Sequence, residues 1–327
     1  MTEASEKDWL ERFRKEEAFR LGRDLDQEGY RAIDPAMRYV RCGCGQANCW
    51  VTGLLPLRHH LAALFQAIVA LGFAERFSWI SRHEDPWPGV TYALQMAGGI
   101  QDVICNPSLV HDSDDALYCE TVAHYEDESQ ELASKYTAAL IIFNFAWSAY
   151  EAAIETSARG ETVKETLPVH ARRLFQAEGD RASQIRALDQ SYNYARHMCE
   201  RQALLKDQFA RTITKHGLTG PAAAAEMVRV FRNYIVHGDD PLPADSVLPC
   251  YRFYAVTRVV LLLIQHLIWR KVTRPSRPVL LSANREEVGR EPATLFLRHL
   301  HYADVQWRTM IPKRSRYGFS TTRRFLG

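Results

Sequence analysis

The segment Arg229-Val230-Phe231-Arg232-Asn233-Tyr234-Ile235-Val236-His237-Gly238-Asp239 sets an arginine, an asparagine and a histidine within six residues. These types suit cleavage of RNA without a metal. A histidine that titrates near neutrality can take the proton from a ribose 2′-OH, or return one to the leaving 5′-oxygen. A guanidinium can fork onto a phosphate and offset the charge that grows in the transition state. Asn233 could orient either group or hold a phosphate oxygen. One Arg–His pair is a sparse site, and a symmetric dimer would place two of each around one phosphate. Spacing alone is a weak signal, because four residues also separate Arg211 from His216, and six separate Arg76 from His83. What sets 232–237 apart is context: the Arg-Asn pair, the apolar residues that pack the helix, the Gly-Asp stop and the long apolar helix beyond. The competing reading is structural. His237 would cap the last carbonyls of a helix, favoured by the macrodipole, with Arg232 as a surface ion-pair partner.

The elements that must position this segment read as follows. Residues 6–23 form a charged helix with a thin apolar face. Pro56 starts a second helix, striped by Leu57, Leu61, Leu64, Phe65, Ile68 and Leu71 at i, i+3, i+4 spacing. Val90–Met96 and Ile100–Cys105 flank Gly98-Gly99 like a hairpin, the one convincing strand pair. Residues 102–131 hold nine acids and no Lys or Arg, which marks a surface segment and a boundary. Helical patterning then runs over 128–157, 164–177, 181–215, 222–237 and 246–271, with Pro221 at a start and Gly238-Asp239-Asp240-Pro241 at a stop. The expected fold is mainly α: a helical bundle over 128–271, preceded by a smaller α+β regulatory or sensing domain over 1–127 and followed by a basic extension over 272–327.

Arg232-Asn233-x-x-x-His237-Gly238 resembles the R-x4–6-H motif of the HEPN superfamily, whose members often carry a polar residue after the arginine. The run Ile141-Ile142-Phe143-Asn144-Phe145-Ala146-Trp147-Ser148-Ala149-Tyr150-Glu151-Ala152-Ala153-Ile154-Glu155 is similar to the first bundle helix of such domains. The likeness covers residues 128–271, under half the chain. It implies an all-α bundle, dimerisation, and metal-independent endoribonuclease activity that leaves a 2′,3′-cyclic phosphate and a 5′-OH. It also implies roles in phage defence, abortive infection and toxin–antitoxin systems. On the resemblance Arg232 and His237 are the catalytic pair, Asn233 an auxiliary and Glu151 a polar group facing the site. The chain departs from one pattern. Toxins silenced by nucleotidyl transfer carry a tyrosine two residues after the histidine, and Asp239 stands there. The alternative function is a non-catalytic bundle that binds nucleotide, RNA or a protein partner.

Cys42, Cys44 and Cys49 lie within eight residues and could present three thiolates to a structural zinc. The fourth ligand stays open among His59, His60, Cys105, Cys119 and His124. The spacing lacks the usual Cys-x2-Cys pairs, and small reduced thiols packed in a loop explain it equally. Catalysis calls for no cofactor. From Arg270 to the end there are thirteen Lys or Arg against four acids. Lys313, Arg314 and Arg316, beside Tyr317 and Phe319, suit an RNA backbone with base stacking; the same tail could instead lie on the acidic 102–131 segment.

With 327 residues, 46% hydrophobic and 24% charged, the composition excludes fibrous and wholly disordered classes. Seven cysteines, an odd and mostly scattered set, do not make a disulfide scaffold. The charged start Met1–Asp8 lacks a signal-type apolar core, and the apolar run Val259–Leu267 is shorter than a membrane span. These features point to a cytoplasmic protein away from membranes; the resemblance implies that it acts on RNA as a homodimer, with a regulatory protein or nucleic acid as the expected trigger. Walker-type glycine loops, His-Glu-x-x-His helices and Gly-x-Ser-x-Gly elbows are absent from the sequence, so ATPase, metalloprotease and esterase chemistry has no support.

Overall fold

A computed structural model describes residues 40–41, 50–51, 54–55, 57–75, 87–100, 103–106, 119–179, 185–238, 248–271, 278–279, 291–292 and 297–301. Eight helices of ten residues or more order the described chain: α1 (Leu57–Glu75), α2 (Val90–Gly99), α3 (Glu120–Ser157), α4 (Leu167–Glu178), α5 (Leu188–Cys199), α6 (Ala203–His216), α7 (Gly220–Val236) and α8 (Leu248–Lys271). Extended pairing among the described residues comprises two antiparallel ladders of two residues each, β1 (Val40–Arg41) with β2 (Trp50–Val51) and β3 (Pro278–Val279) with β4 (Glu291–Pro292), and an isolated bridge at Leu54.

The protein is thus mainly α, and the hairpin expected over 90–105 is a correction. Val90–Gly99 is helical, with Val90, Ala93, Leu94 and Ala97 buried. The i, i+3, i+4, i+7 spacing of those four outweighs the Gly98-Gly99 pair, which closes the helix rather than turning a strand. Gly89, at φ +84°, starts α2 in a backbone region that other residues avoid. A Cβ there would meet Ala152 Cβ of α3 at 3.1 Å, so the glycine also lets the two helices touch. An α+β N-terminal unit is therefore not supported. One apolar core takes in α1 and α2 together with the bundle helices, and α3 begins at Glu120, so position 128 lies inside a helix.

A second correction concerns 181–215. That stretch is two helices, α5 and α6, separated by a turn at Glu200–Gln202 in which the Gln202 N–H donates to the Cys199 carbonyl at 3.0 Å. No glycine or proline marks the break. Tertiary packing imposes it: α5 lies against α8 and α7, whereas α6 lies against α7.

α8 is the hub. Every residue from Arg252 to Ile268 is buried, which calls for apolar side chains on every side and hydrogen-bonded partners for the polar ones among them, such as Arg258 and Gln265. α3 and α8 are long and apolar enough to cross a bilayer by length and composition, but 94% of the relevant stretch of α8 is buried inside the fold. That burial accounts for its apolarity.

α7 joins α3 and α8 through three rings. Phe143, Phe231 and Phe253 pack edge-on at 5.2–5.7 Å between centroids. Each is 0% exposed. Phe231 directly precedes Arg232, so this cluster sets the rotation of α7 about its axis. Phe231→Ala should cost about 3–5 kcal/mol, the range for a buried aromatic truncation, read as a lowered urea midpoint.

A buried polar network ties both ends of the described chain to α8. Arg258 Nη1 donates to His60 Nδ1 at 3.0 Å, and Nη2 donates to the Leu55 carbonyl at 2.6 Å. The His60 Nε2–H donates to Gln265 Oε1 at 3.1 Å. The Gln265 amide in turn donates to the Leu297 carbonyl and to His301 Nδ1. The Leu55 N–H donates to the His301 carbonyl at 2.8 Å. With Nδ1 of both rings accepting, each imidazole is the neutral Nε2–H tautomer.

Candidate functional site

α7 is built to carry an exposed end on a buried body. Thr219 enters in extended geometry, and Pro221 sits in the first turn, where its missing N–H costs nothing. Ala222–Ala225 are all buried, and small side chains there let α4 approach closely. The helix closes at Gly238, φ +74°. The His237 N–H still donates to the Asn233 carbonyl at 3.0 Å, and the Gly238 N–H donates to the Ile235 carbonyl at 3.1 Å. His237 is exposed at this last turn.

Arg232 points toward α3. Its guanidinium carbon lies 5.8 Å from the centroid of Trp147, within cation–π range. Trp147 is buried. Glu151 follows one turn later on α3 and is half-buried; that burial raises its carboxyl above the usual range, and the neighbouring Arg232 and Trp147 offset part of the rise. Trp147 Nε1 is buried and makes no hydrogen bond of ordinary geometry, but it stands close enough to the Glu151 carboxylate to favour its charge. Glu151 and Arg232, both singled out by sequence, are therefore neighbours.

His237 occupies another face. Residues five apart stand about 140° apart around a regular helix, whereas residues four apart stand nearly in line. His237 thus aligns with Asn233 and not with Arg232. On a regular helix Arg232 and His237 therefore project to different sides.

Behind Arg232, a buried carboxylate is clamped by two cations. Glu226 is 1% exposed. Its Oε2 accepts from Arg172 Nη1 at 3.2 Å and from Arg229 Nε at 3.1 Å, and its Oε1 accepts from Arg229 Nη2 at 2.6 Å. Burial raises the Tyr150 phenol above its ordinary range, and the charge on Glu226 adds to the rise. On the Asn233 side, Gln208, Arg211 and Thr212 of α6 and Arg229, Val230 and Asn233 of α7 line a pocket of about 300 Å³.

No known protein family, curated protein or solved structure matches this chain.

The remaining sequence candidates fall as follows. Cys42, Cys44 and Cys49, with Lys313, Arg314 and Arg316, lie outside the described residues. No group of three or more His, Cys, Asp or Glu among the described residues could hold a metal ion. Of the open fourth ligands, His60 has both ring nitrogens engaged by Gln265 and Arg258. His59 and His124 are exposed, Cys105 is half-buried and Cys119 is exposed. Sequence reasoning quoted Trp147 only within the first bundle helix and did not single it out as a site residue. It also missed the Arg172–Glu226–Arg229 clamp. The i, i+3 pair Glu226–Arg229 was legible on one helix, but Arg172, 54 positions away, carried no signal.

Proposed function

We propose that the chain is a metal-independent endoribonuclease of HEPN type. The observation that carries this reading is the placement of Arg232 over Trp147 beside Glu151, one residue from Asn233 and five from an exposed His237 at a helix end. In the proposed reaction His237 takes the proton of a ribose 2′-OH. The 2′-oxygen attacks phosphorus, and the P–O5′ bond breaks. The protonated His237 then returns that proton to the leaving 5′-oxygen, so the base is regenerated and the products carry a 2′,3′-cyclic phosphate and a 5′-OH. Arg232 offsets charge on the phosphoryl oxygens, and Asn233 orients them.

The 140° between Arg232 and His237 favours a homodimer as the working unit, with Arg232 of one protomer meeting His237 of the other across a two-fold axis. Complementation tests this directly. Arg232→Ala and His237→Ala should each be inactive alone. Mixed and refolded together, they should recover about a quarter of wild-type cleavage, since half the dimers are mixed and each holds one intact site. No recovery would place the whole site within one chain.

A second reading, a non-catalytic bundle that binds RNA or nucleotide, draws on the arginine-lined pocket, which does not include His237. The wider proposals follow the first reading. They comprise a role in phage defence or as a toxin, an RNA-guiding tail at Lys313, Arg314 and Arg316, a structural zinc on Cys42, Cys44 and Cys49, a protein or nucleic-acid trigger, and cytoplasmic residence.

A further inference from the structure

We infer that the pocket between α6 and α7 is a phosphate subsite, which holds one nucleotide of an RNA chain next to the reacting phosphate. The occupant's identity as RNA rests on the proposed nuclease reading; the anion chemistry does not. The six lining residues include two arginines and no acid. Arg229 spends Nε and Nη2 on Glu226, which leaves Nη1 as a donor. Arg211 spends Nε on the Asp207 carbonyl at 3.2 Å, which leaves both terminal nitrogens. Glu226 is shared by Arg172 and Arg229, so the local charge stays positive. The clamp also holds the Arg229 guanidinium rigid, which lowers the entropy lost when an anion binds. Gln208 and Asn233 add amide donors. The Thr212 hydroxyl donates to the Gln208 carbonyl at 2.8 Å and offers its lone pairs to a sugar hydroxyl.

Size and position agree with this occupant. A volume of about 300 Å³ sits at the lower end of small-ligand sites and matches a nucleotide unit better than a bare phosphate. Asn233 belongs both to the pocket and to the face of α7 that carries His237, about 6 Å further along the axis. A chain seated by Arg211 and Arg229 would therefore pass Asn233 and present its next linkage to His237. Arg211 also gives the second Arg-x4-His pattern of this sequence a use that does not involve His216.

The test uses the full chain and a fluorescent single-stranded oligoribonucleotide with 2′-O-methyl riboses, which lacks the attacking hydroxyl and reports binding alone. Arg211→Gln should weaken binding about tenfold and flatten the salt dependence by about 0.7 of a log unit per log unit of salt. Gln208→Glu, which adds a negative charge to the lining, should weaken it at least as much. Lys206→Gln, on α6 but outside the pocket, should leave binding unchanged. Equal binding by wild type and Arg211→Gln would overturn the proposal, as would an equal loss in Lys206→Gln. A nucleoside 5′-monophosphate run in parallel separates the two sources of phosphate. If Arg211→Gln abolished mononucleotide binding and spared the oligonucleotide, the pocket would serve a free nucleotide and the RNA assignment would fall. Cleavage of unmodified RNA is scored separately. Loss of oligonucleotide binding in Arg211→Gln, with no His237-dependent cleavage by wild type, keeps the subsite and removes the nuclease. His237-dependent cleavage with unchanged binding in Arg211→Gln does the reverse.

Discussion

His237→Ala is expected to lower kcat/KM for RNA cleavage in EDTA by about 10²–10⁴-fold, the range for loss of a general acid–base group. Binding of a non-cleavable RNA should change little, because an exposed side chain at a helix end is not expected to anchor the strand. Fold stability should move by no more than about 0.5 kcal/mol, since His237 is exposed and makes no side-chain hydrogen bond or ion pair with a described residue. This separation of readouts decides between the two origins of the motif. A histidine kept to cap a helix would lower the unfolding midpoint and spare cleavage, whereas a catalytic base does the opposite. Arg232→Lys completes the test. Lysine keeps the charge but loses the planar fork that grips a phosphate and stacks over Trp147, so cleavage should fall by about 10²-fold or more. Equal cleavage by wild type and His237→Ala would sink the assignment of the base.

The second large effect concerns acid. Burial holds His60 well below the ordinary histidine range and lowers His301 to about 3, with the Arg258 charge pressing both in the same direction. In the unfolded chain both rings would titrate near 6.5. Above that pH neither state binds the protons, and the stability is fully present. As pH falls from about 6.5 toward 3, the unfolded state takes up protons that the folded state refuses, and stability is lost. For His301 alone this loss is on the order of 4–5 kcal/mol across the window. Urea titrations at pH 7.5, 6, 5 and 4 should show a steadily falling unfolding free energy. His301→Gln, which keeps an acceptor for the Gln265 amide, should flatten that slope even where it lowers stability at pH 7.5. The decisive quantity is the slope. If wild type and His301→Gln lose stability in parallel below pH 6.5, the histidines do not set the acid limit.

Much of the fold was legible because its helices satisfy one-dimensional rules. Leu57, Leu61, Leu64 and Ile68 are all buried, as their spacing requires. Pro221 and Gly238 bracket α7 where start and stop signals place them. α8 is mostly apolar and is buried all round. The misreadings have two causes. At Gly98-Gly99 the helical spacing of Val90, Ala93, Leu94 and Ala97 competes with a turn signal, and burial of those four decides for the helix; the turn at 200–202 carries no local signal at all. α2 is helical because Val90, Ala93, Leu94 and Ala97 must all meet α1 and α3. The break between α5 and α6 falls where the packing changes: α5 meets α8 as well as α7, whereas α6 meets α7.

The candidate site divides in the same way. The sequence by itself determined that Arg232, Asn233 and His237 ride the last turns of a helix ended by glycine, because caps and periodicity are local properties of the chain. It also placed Glu151 on another long helix. Only the tertiary structure decided that Trp147 and Glu151 stand against Arg232, that Arg172 crosses from α4 to clamp Glu226, and that Arg211 and Arg229 share a pocket with Asn233. Those meetings depend on how helices rotate about their own axes, and the rotation of α7 is fixed by buried contacts such as the Phe143–Phe231–Phe253 cluster. Which residues a helix carries is written in the chain; which of them face one another is set by the close packing of the apolar side opposite.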